Sequence, residues 1–244
     1  AGVANAMYYV SRQKGIGIDI ITKYSSDKRY LSLGNWVRSG SIFGLDFIFK
    51  EIPNTLYPFD FDTFNNSDTN LIAVSTNINT GKAHYELIDK LNDKLDYAIA
   101  SASLPLVSKV VKVDGLELLD GGIADSIPIK KSLESFDYQV LVLTRNIGYR
   151  KNKRRSRRFV AARYPFKSEF KEVIVKRHLV YNESLELAEK LEEEGKVIII
   201  RPTQILTTDR FEKDPQKLLN LYHMGYQDAK DKLADIIKLC KQCE

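Results

Sequence analysis

A chain of 244 residues with 43% hydrophobic and 10% aromatic content can bury a sizeable core as one large domain or two small ones. No run approaches the roughly 18 uninterrupted apolar residues of a membrane-spanning helix, so the sequence predicts no such span. The net charge of +5 comes from one segment: residues 145–167 hold ten Lys or Arg and no acid, leaving 27 basic against 32 acidic residues elsewhere.

Taken in chain order, residues 3–13 predict a helix, and Leu71-Ile72-Ala73-Val74-Ser75 predicts a buried strand. Residues 91–101 predict a helix that ends ahead of Pro105. Strands at 107–113 and 116–119 follow, joined by a hairpin turn at Asp114-Gly115. The run Tyr138-Gln139-Val140-Leu141-Val142-Leu143-Thr144 is continuous and apolar, which predicts the middle of a sheet covered on both faces. The alternation is that of an α/β protein.

Beyond residue 146 the pattern changes to long amphipathic helices. Phe170, Ile174, Tyr181, Leu185 and Ala188 recur at helical spacing, as do Leu218, Tyr222, Gly225, Ala229, Leu233, Ile236 and Cys240, each stripe predicting one buried face. Between them Lys196-Val197-Ile198-Ile199-Ile200-Arg201 predicts one more strand of the same sheet, ended by Pro202.

Candidates for chemistry are few. Cys240 and Cys243 form a Cys-x-x-Cys at the end of a helix. A thioredoxin-type pair would instead follow a strand near the chain start, and a zinc site would need a second ligand pair, so no metal is expected. So few cysteines favour a reducing compartment, and a cytoplasmic location, peripheral to the inner membrane, is expected. His84, His178 and His223 fall in different elements and read as structural or surface residues.

Asp120 ends an apolar strand just ahead of Gly121 and Gly122. Two glycines admit close backbone approach and positive φ, which would let the carboxylate reach a neighbouring group. Taken alone, Asp-Gly-Gly is a common turn. Ser101 and Ser103 precede Pro105 and are better explained by helix termination than as nucleophiles. Asp46 and Asp125 have no partner that the sequence identifies.

Company changes the reading of Asp120. Ala100-Ser101-Ala102-Ser103-Leu104-Pro105 resembles the Ala-Ser-x-x-x-Pro block of patatin-like phospholipases, and Asp120-Gly121-Gly122 followed by Ile127-Pro128-Ile129 resembles their Asp-Gly-Gly/Ala block, at matching spacing. Ala1-Gly2, ahead of a helix of small residues, resembles the last two positions of the family's Gly-x-Ser-x-Gly elbow. The stretch Arg38-Ser39-Gly40-Ser41-Ile42-Phe43-Gly44-Leu45-Asp46 and the late Arg201-Pro202 are similar to a bacterial branch of that family.

The resemblance implies a three-layer α/β sandwich with a mostly parallel central sheet. Residues 1–145 would form the hydrolase core and 146–244 a helix-rich extension. It implies a Ser-Asp dyad acting on acyl-lipid or phospholipid esters without a cofactor, with Asp120 as general base. Ser101, Pro105, Gly121 and Gly122 would support the site, and the backbone of Ala1 and Gly2 would lie in the oxyanion neighbourhood. An aspartate at its ordinary pKa of about 3.9 is a weak base, so such a dyad relies on placement and oxyanion stabilisation. The nucleophilic serine is expected just before Ala1, and no internal Gly-x-Ser-x-Gly replaces it. Residues 1–244 alone are therefore expected to be inactive.

A second expectation belongs to a different class. Arg150, Lys151, Lys153, Arg154, Arg155, Arg157 and Arg158 are dense enough to contact an anionic membrane, nucleic acid being the lesser candidate. A non-catalytic hydrolase-like module docking through residues 145–167 is the alternative to the enzyme. The bland counterpart of both is a solvated face.

Overall fold

The computed structural model describes residues 2–153, 157–208 and 211–242. The chain forms two compact units that interleave in sequence: one of residues 1–126 with 153–177, the other of 127–152 with 178–244. A single cut in the chain does not separate them.

The first unit begins with helices α1 (Gly2–Val10), α2 (Ile16–Tyr24) and α3 (Leu33–Ser39). A π-helical segment, Phe47–Leu56, follows and contains Pro53, which lacks an N–H donor. Helix α4 (Phe61–Asn65) is capped by Asp60, whose carboxylate accepts from the Thr63 N–H at 2.8 Å. Then come β1 (Leu71–Asn77), β2 (Ala83–Ile88), α5 (Leu91–Ala102), β3 (Val111–Val113) and β4 (Leu116–Asp120), which leads into a 3₁₀ turn at Gly121–Ile123.

These four strands make one sheet in the order β2-β1-β4-β3, antiparallel throughout. The expected mostly parallel central sheet is thereby corrected, and for the β1–β2 and β3–β4 pairs connection length is the reason. A crossover needs a dozen or more residues. Only residues 78–82 join β1 to β2, and only Asp114-Gly115 joins β3 to β4. That second turn is the predicted hairpin, with φ of 47° at Asp114 and 75° at Gly115, the two positive values a two-residue turn of this twist requires. The strand predicted over 107–113 shortens to Val111–Val113 because residues 105–107 turn.

One face of the sheet packs against α1 and α5, where Val3, Met7, Leu71, Ala73, Tyr97, Ala98 and Leu118 are buried together. A second cluster joins Ile78, Leu119 and Ile123 to Val160 of α7 (Arg157–Arg163), Tyr164, and Phe170 at the start of a long helix, Ser168–Glu193. Burial of such side chains contributes roughly 1.5–3 kcal/mol each and fixes where β4 ends.

The second unit contains α6 (Ile129–Leu133), β5 (Gln139–Val142), the C-terminal part of the long helix, here α8, β6 (Val197–Ile200), α9 (Pro215–Asp231) and α10 (Leu233–Cys240). Strands β5 and β6 pair in parallel, as the long crossover between them permits. The predicted face of α8 is buried at Tyr181, Leu185 and Ala188, around Ile127, Ile129, Val197 and Ile199. Two expectations need correction. The run at 138–144 is not covered on both faces, since Val140 is 43% and Val142 68% exposed, and it belongs to a two-stranded sheet. The stripe over 218–240 is broken at Lys232, with Leu218 and Leu239 buried and Leu233 and Cys240 exposed. Cys243 lies outside the described residues. The chain is thus mixed α/β, and none of its described helices is long and apolar enough to cross a membrane.

Candidate active site

Asp120 ends the interior strand β4, and three hydrogen bonds fix it there. Its N–H donates to the Ser103 carbonyl at 2.8 Å, and its own carbonyl accepts from the Thr76 hydroxyl at 2.8 Å. The same Thr76 oxygen accepts the Ala124 N–H at 3.1 Å, so one buried hydroxyl clamps both ends of the turn. Oδ1 of Asp120 accepts the Gly122 N–H at 2.7 Å. The residue is half-buried, and no donor among the described residues reaches Oδ2. One carboxylate oxygen is held by the turn and the other is not.

Gly121 is required by proximity, not by φ, while Gly122 is closely approached by side-chain ends. Neither has a positive φ, which corrects half of the sequence argument. A Cβ on Gly121 would lie 2.1 Å from the Val74 carbonyl oxygen, and one on Gly122 would lie 3.0 Å from Oδ1 of Asp120 and 3.2 Å from Nη2 of Arg177. Arg177 therefore brings a cation to the neighbourhood of the carboxylate, a residue that sequence reasoning missed because its distance along the chain gives no signal.

Ser75 was also missed. It pairs in register with Asp120 on one side and His84 on the other, so the three side chains share one face of the sheet. The Ser75 hydroxyl is buried and has no hydrogen-bond partner among the described residues, so no hydrogen bond from Ser75 links the three there. His84 instead lies 3.3 Å from Glu86 and stacks on Tyr97. Asp125 accepts from the Tyr85 hydroxyl at 2.7 Å, Asp114 from the Tyr97 hydroxyl at 2.7 Å, and Asp46 pairs with Lys50. Burial and the Asp114 carboxylate together push the Tyr97 phenol up to about 12.

Ser101 lies half-buried in the last turn of α5, and Pro105 in the turn after it. The member of that block that touches Asp120 is Ser103, whose own hydroxyl bonds back to the Ile99 carbonyl at 2.8 Å. Gly2 is exposed at the start of α1, with open space where a side chain would stand. Beside α1 lies a cavity of about 110 Å³ lined by Ala4, Tyr8, Ile21 and Phe49 among others. Burial pushes the Tyr8 phenol up to about 12, keeping it neutral. Ala1 is outside the described residues.

Among the basic candidates, Arg150 pairs with Glu189 at 2.7 Å, and Lys151 lies over the Tyr181 ring while its N–H donates to Asn182. Lys153 is exposed. Arg154 and Arg155, and the side chains of Arg157 and Arg158, lie outside what is described. At the margins of the segment, Lys167 is bonded to Glu117 at 2.5 Å, and Arg145 and Arg163 lie over Tyr149 and Tyr164. Internal partners thus engage much of the described charge. No cluster of three or more acidic, His or Cys side chains suited to a metal occurs among the described residues.

The Asp-Gly-Gly turn, the serine block bonded to it and the helix running from Gly2 occupy one unit, and a family model covers that stretch. The patatin-like phospholipase model matches residues 5–132, and the chain belongs to that family. A second model, a domain of unknown function (DUF6363), matches residues 167–241. The uncharacterized protein YjjU of Escherichia coli (strain K12) is 26% identical over 136 residues, 54% of this chain and 38% of that protein. The alignment thus spans well under half of the length of the curated relative.

Proposed function

We propose that these residues carry the base half of a lipid acyl hydrolase with a Ser-Asp dyad, acting on carboxylic esters of acyl lipids. The observation that carries the reading is the division of labour in the Asp120 carboxylate, with Oδ1 held by Gly122 and Oδ2 without a donor among the described residues. Membership of the patatin-like phospholipase family supports the reaction class.

In the first step, a serine hydroxyl just before Ala1 attacks the ester carbonyl carbon while Oδ2 of Asp120 accepts its proton. The C–O bond to the alcohol breaks as that proton passes to the leaving oxygen, giving an acyl-enzyme and a free alcohol. Water then attacks the acyl carbon with Asp120 again taking the proton, and the carboxylic acid leaves as the serine is restored. Backbone N–H groups at the start of α1 would hold the oxyanion, as a helix N-terminus behind a nucleophile turn is suited to do. The apolar cavity beside α1 offers room for part of an acyl chain.

The test is covalent. A fluorophosphonate probe incubated with the full-length protein is expected to label one serine, in the peptide that joins Ala1. Labelling at Ser75, Ser101 or Ser103, or no labelling of folded protein, would overturn the dyad.

A further inference from the structure

Helix α3 is built inside out. Its one buried side chain is polar: the Asn35 amide donates to the carbonyls of Lys28 at 3.0 Å, Arg29 at 3.1 Å and Ile42 at 3.3 Å. Ser32 caps the helix by accepting the Asn35 N–H at 3.1 Å. Its apolar residues point outward. Leu33 is 74% exposed, Trp36 50% and Val37 80%, and they stand at i, i+3 and i+4, one continuous stripe. Spacing of this kind normally faces a core. Scattered exposed apolar residues need no explanation, but a contiguous set marks a surface with a partner.

The surroundings say which partner. Lys28, Arg38 and Lys109 are exposed, none has a carboxylate partner among the described residues, and residues 28–45 contain no acid. Lys109 is close, since its Cβ lies 3.6 Å from where a Cβ on Gly40 would stand. A seven-residue helix is only about 10 Å long, too short to supply alone the roughly 800 Å² per partner of a stable protein interface. A tryptophan flanked by exposed aliphatic residues, on a segment whose exposed Lys28, Arg38 and Lys109 lack carboxylate partners among the described residues, instead matches the boundary between lipid headgroups and acyl chains.

The segment after α3 is tied to the same loop that holds the candidate base. Just past α3, the Ile42 N–H donates to the Val107 carbonyl at 2.7 Å and the Ser41 hydroxyl to Ser108 at 3.3 Å. The same short segment carries the Ser103 carbonyl that accepts the Asp120 N–H.

We propose that the outward face of α3 docks the protein on an anionic phospholipid bilayer. Leu33, Trp36 and Val37 enter the headgroup boundary, and Lys28, Arg38 and Lys109 meet lipid phosphates. The purpose of this surface rests on the lipid-hydrolase reading, while its occupancy is measured without turnover. The probe is Trp36 emission in the full-length protein, isolated by subtracting the Trp36→Phe variant, on ether-linked phosphatidylcholine vesicles containing phosphatidylglycerol. A blue shift and quenching by brominated acyl chains are expected, both weakened by 1 M salt. Leu33→Ser with Val37→Ser is expected to lower partitioning about tenfold or more while leaving hydrolysis of soluble short-chain esters unchanged. Unmoved Trp36 emission on folded protein would overturn the proposal. So would binding without bromolipid quenching, or a blue shift that grows with protein concentration in the absence of lipid, which would assign the face to a second copy. Should short-ester hydrolysis be absent while Trp36 still enters vesicles, the hydrolase reading fails and the docking surface stands.

Discussion

Gly121 stands so close to Val74 that a Cβ on it would lie 2.1 Å from the Val74 carbonyl oxygen and 2.4 Å from the carbonyl carbon. Backbone, unlike the end of a flexible side chain, cannot move aside cheaply. Gly121→Ala is therefore expected to cost about 3 kcal/mol or more and to displace the turn that presents Asp120. Chemical denaturation measures it. Gly115→Ala is the control, since its φ of 75° is strained for alanine but its surroundings are open, and about 1 kcal/mol is expected.

Thr76 clamps the same turn through one hydroxyl, so Thr76→Val leaves the Asp120 carbonyl and the Ala124 N–H each short of a partner. A loss of about 1–3 kcal/mol is expected, with a fall in kcat as the carboxylate loses its placement. Thr76→Ser keeps the hydroxyl and should retain most of both. Urea midpoints and ester turnover, measured on the pair of variants, separate hydroxyl from shape.

How much of this was legible in the sequence depends on the residue. The apolar strand at 71–75, the helix at 91–101 and the Asp114-Gly115 hairpin followed from local pattern, because turn chemistry and periodicity are written in neighbouring residues. The family followed from two motif blocks at the right spacing, the same blocks that single out Asp120 as the candidate base. The pairing of β1 with β4 did not, because it depends on contacts distant in sequence. For the same reason Thr76, Ser75 and Arg177 were invisible as neighbours of Asp120. The glycines were read as permitting both close approach and positive φ, and the fold uses only the first, at Gly121.

Ser75 offers the reverse of the Thr76 case. Its buried hydroxyl has no partner among the described residues, so Ser75→Ala removes a desolvated polar group without orphaning another of them. Stability is expected to hold or rise by up to about 1 kcal/mol, with turnover unchanged. A large loss of kcat at normal stability would show instead that this hydroxyl serves Asp120 during the reaction.

Glu117 tests the electrostatics next to the site. The hydrogen bond from Lys167 holds its carboxyl below the ordinary range. A lowered folded pKa means that its contribution is fully present above the unfolded value of about 4.3 and is lost as pH falls through the folded value. The pair is partly exposed, so about 0.5–1 kcal/mol is expected. Glu117→Gln should be less stable than the parent at pH 7 by that amount, and thermal melts should show the gap closing as pH falls below about 4.

The most direct measurement is turnover of a short-chain acyl ester by Asp120→Asn in the full-length protein. Asparagine can still accept the Gly122 N–H through its own Oδ1, so the turn and the melting temperature are expected to be preserved. An amide cannot take the serine proton, so kcat is expected to fall by about 10²–10⁴-fold. Undiminished turnover by a variant that melts like the parent would contradict the assignment of Asp120 as the base.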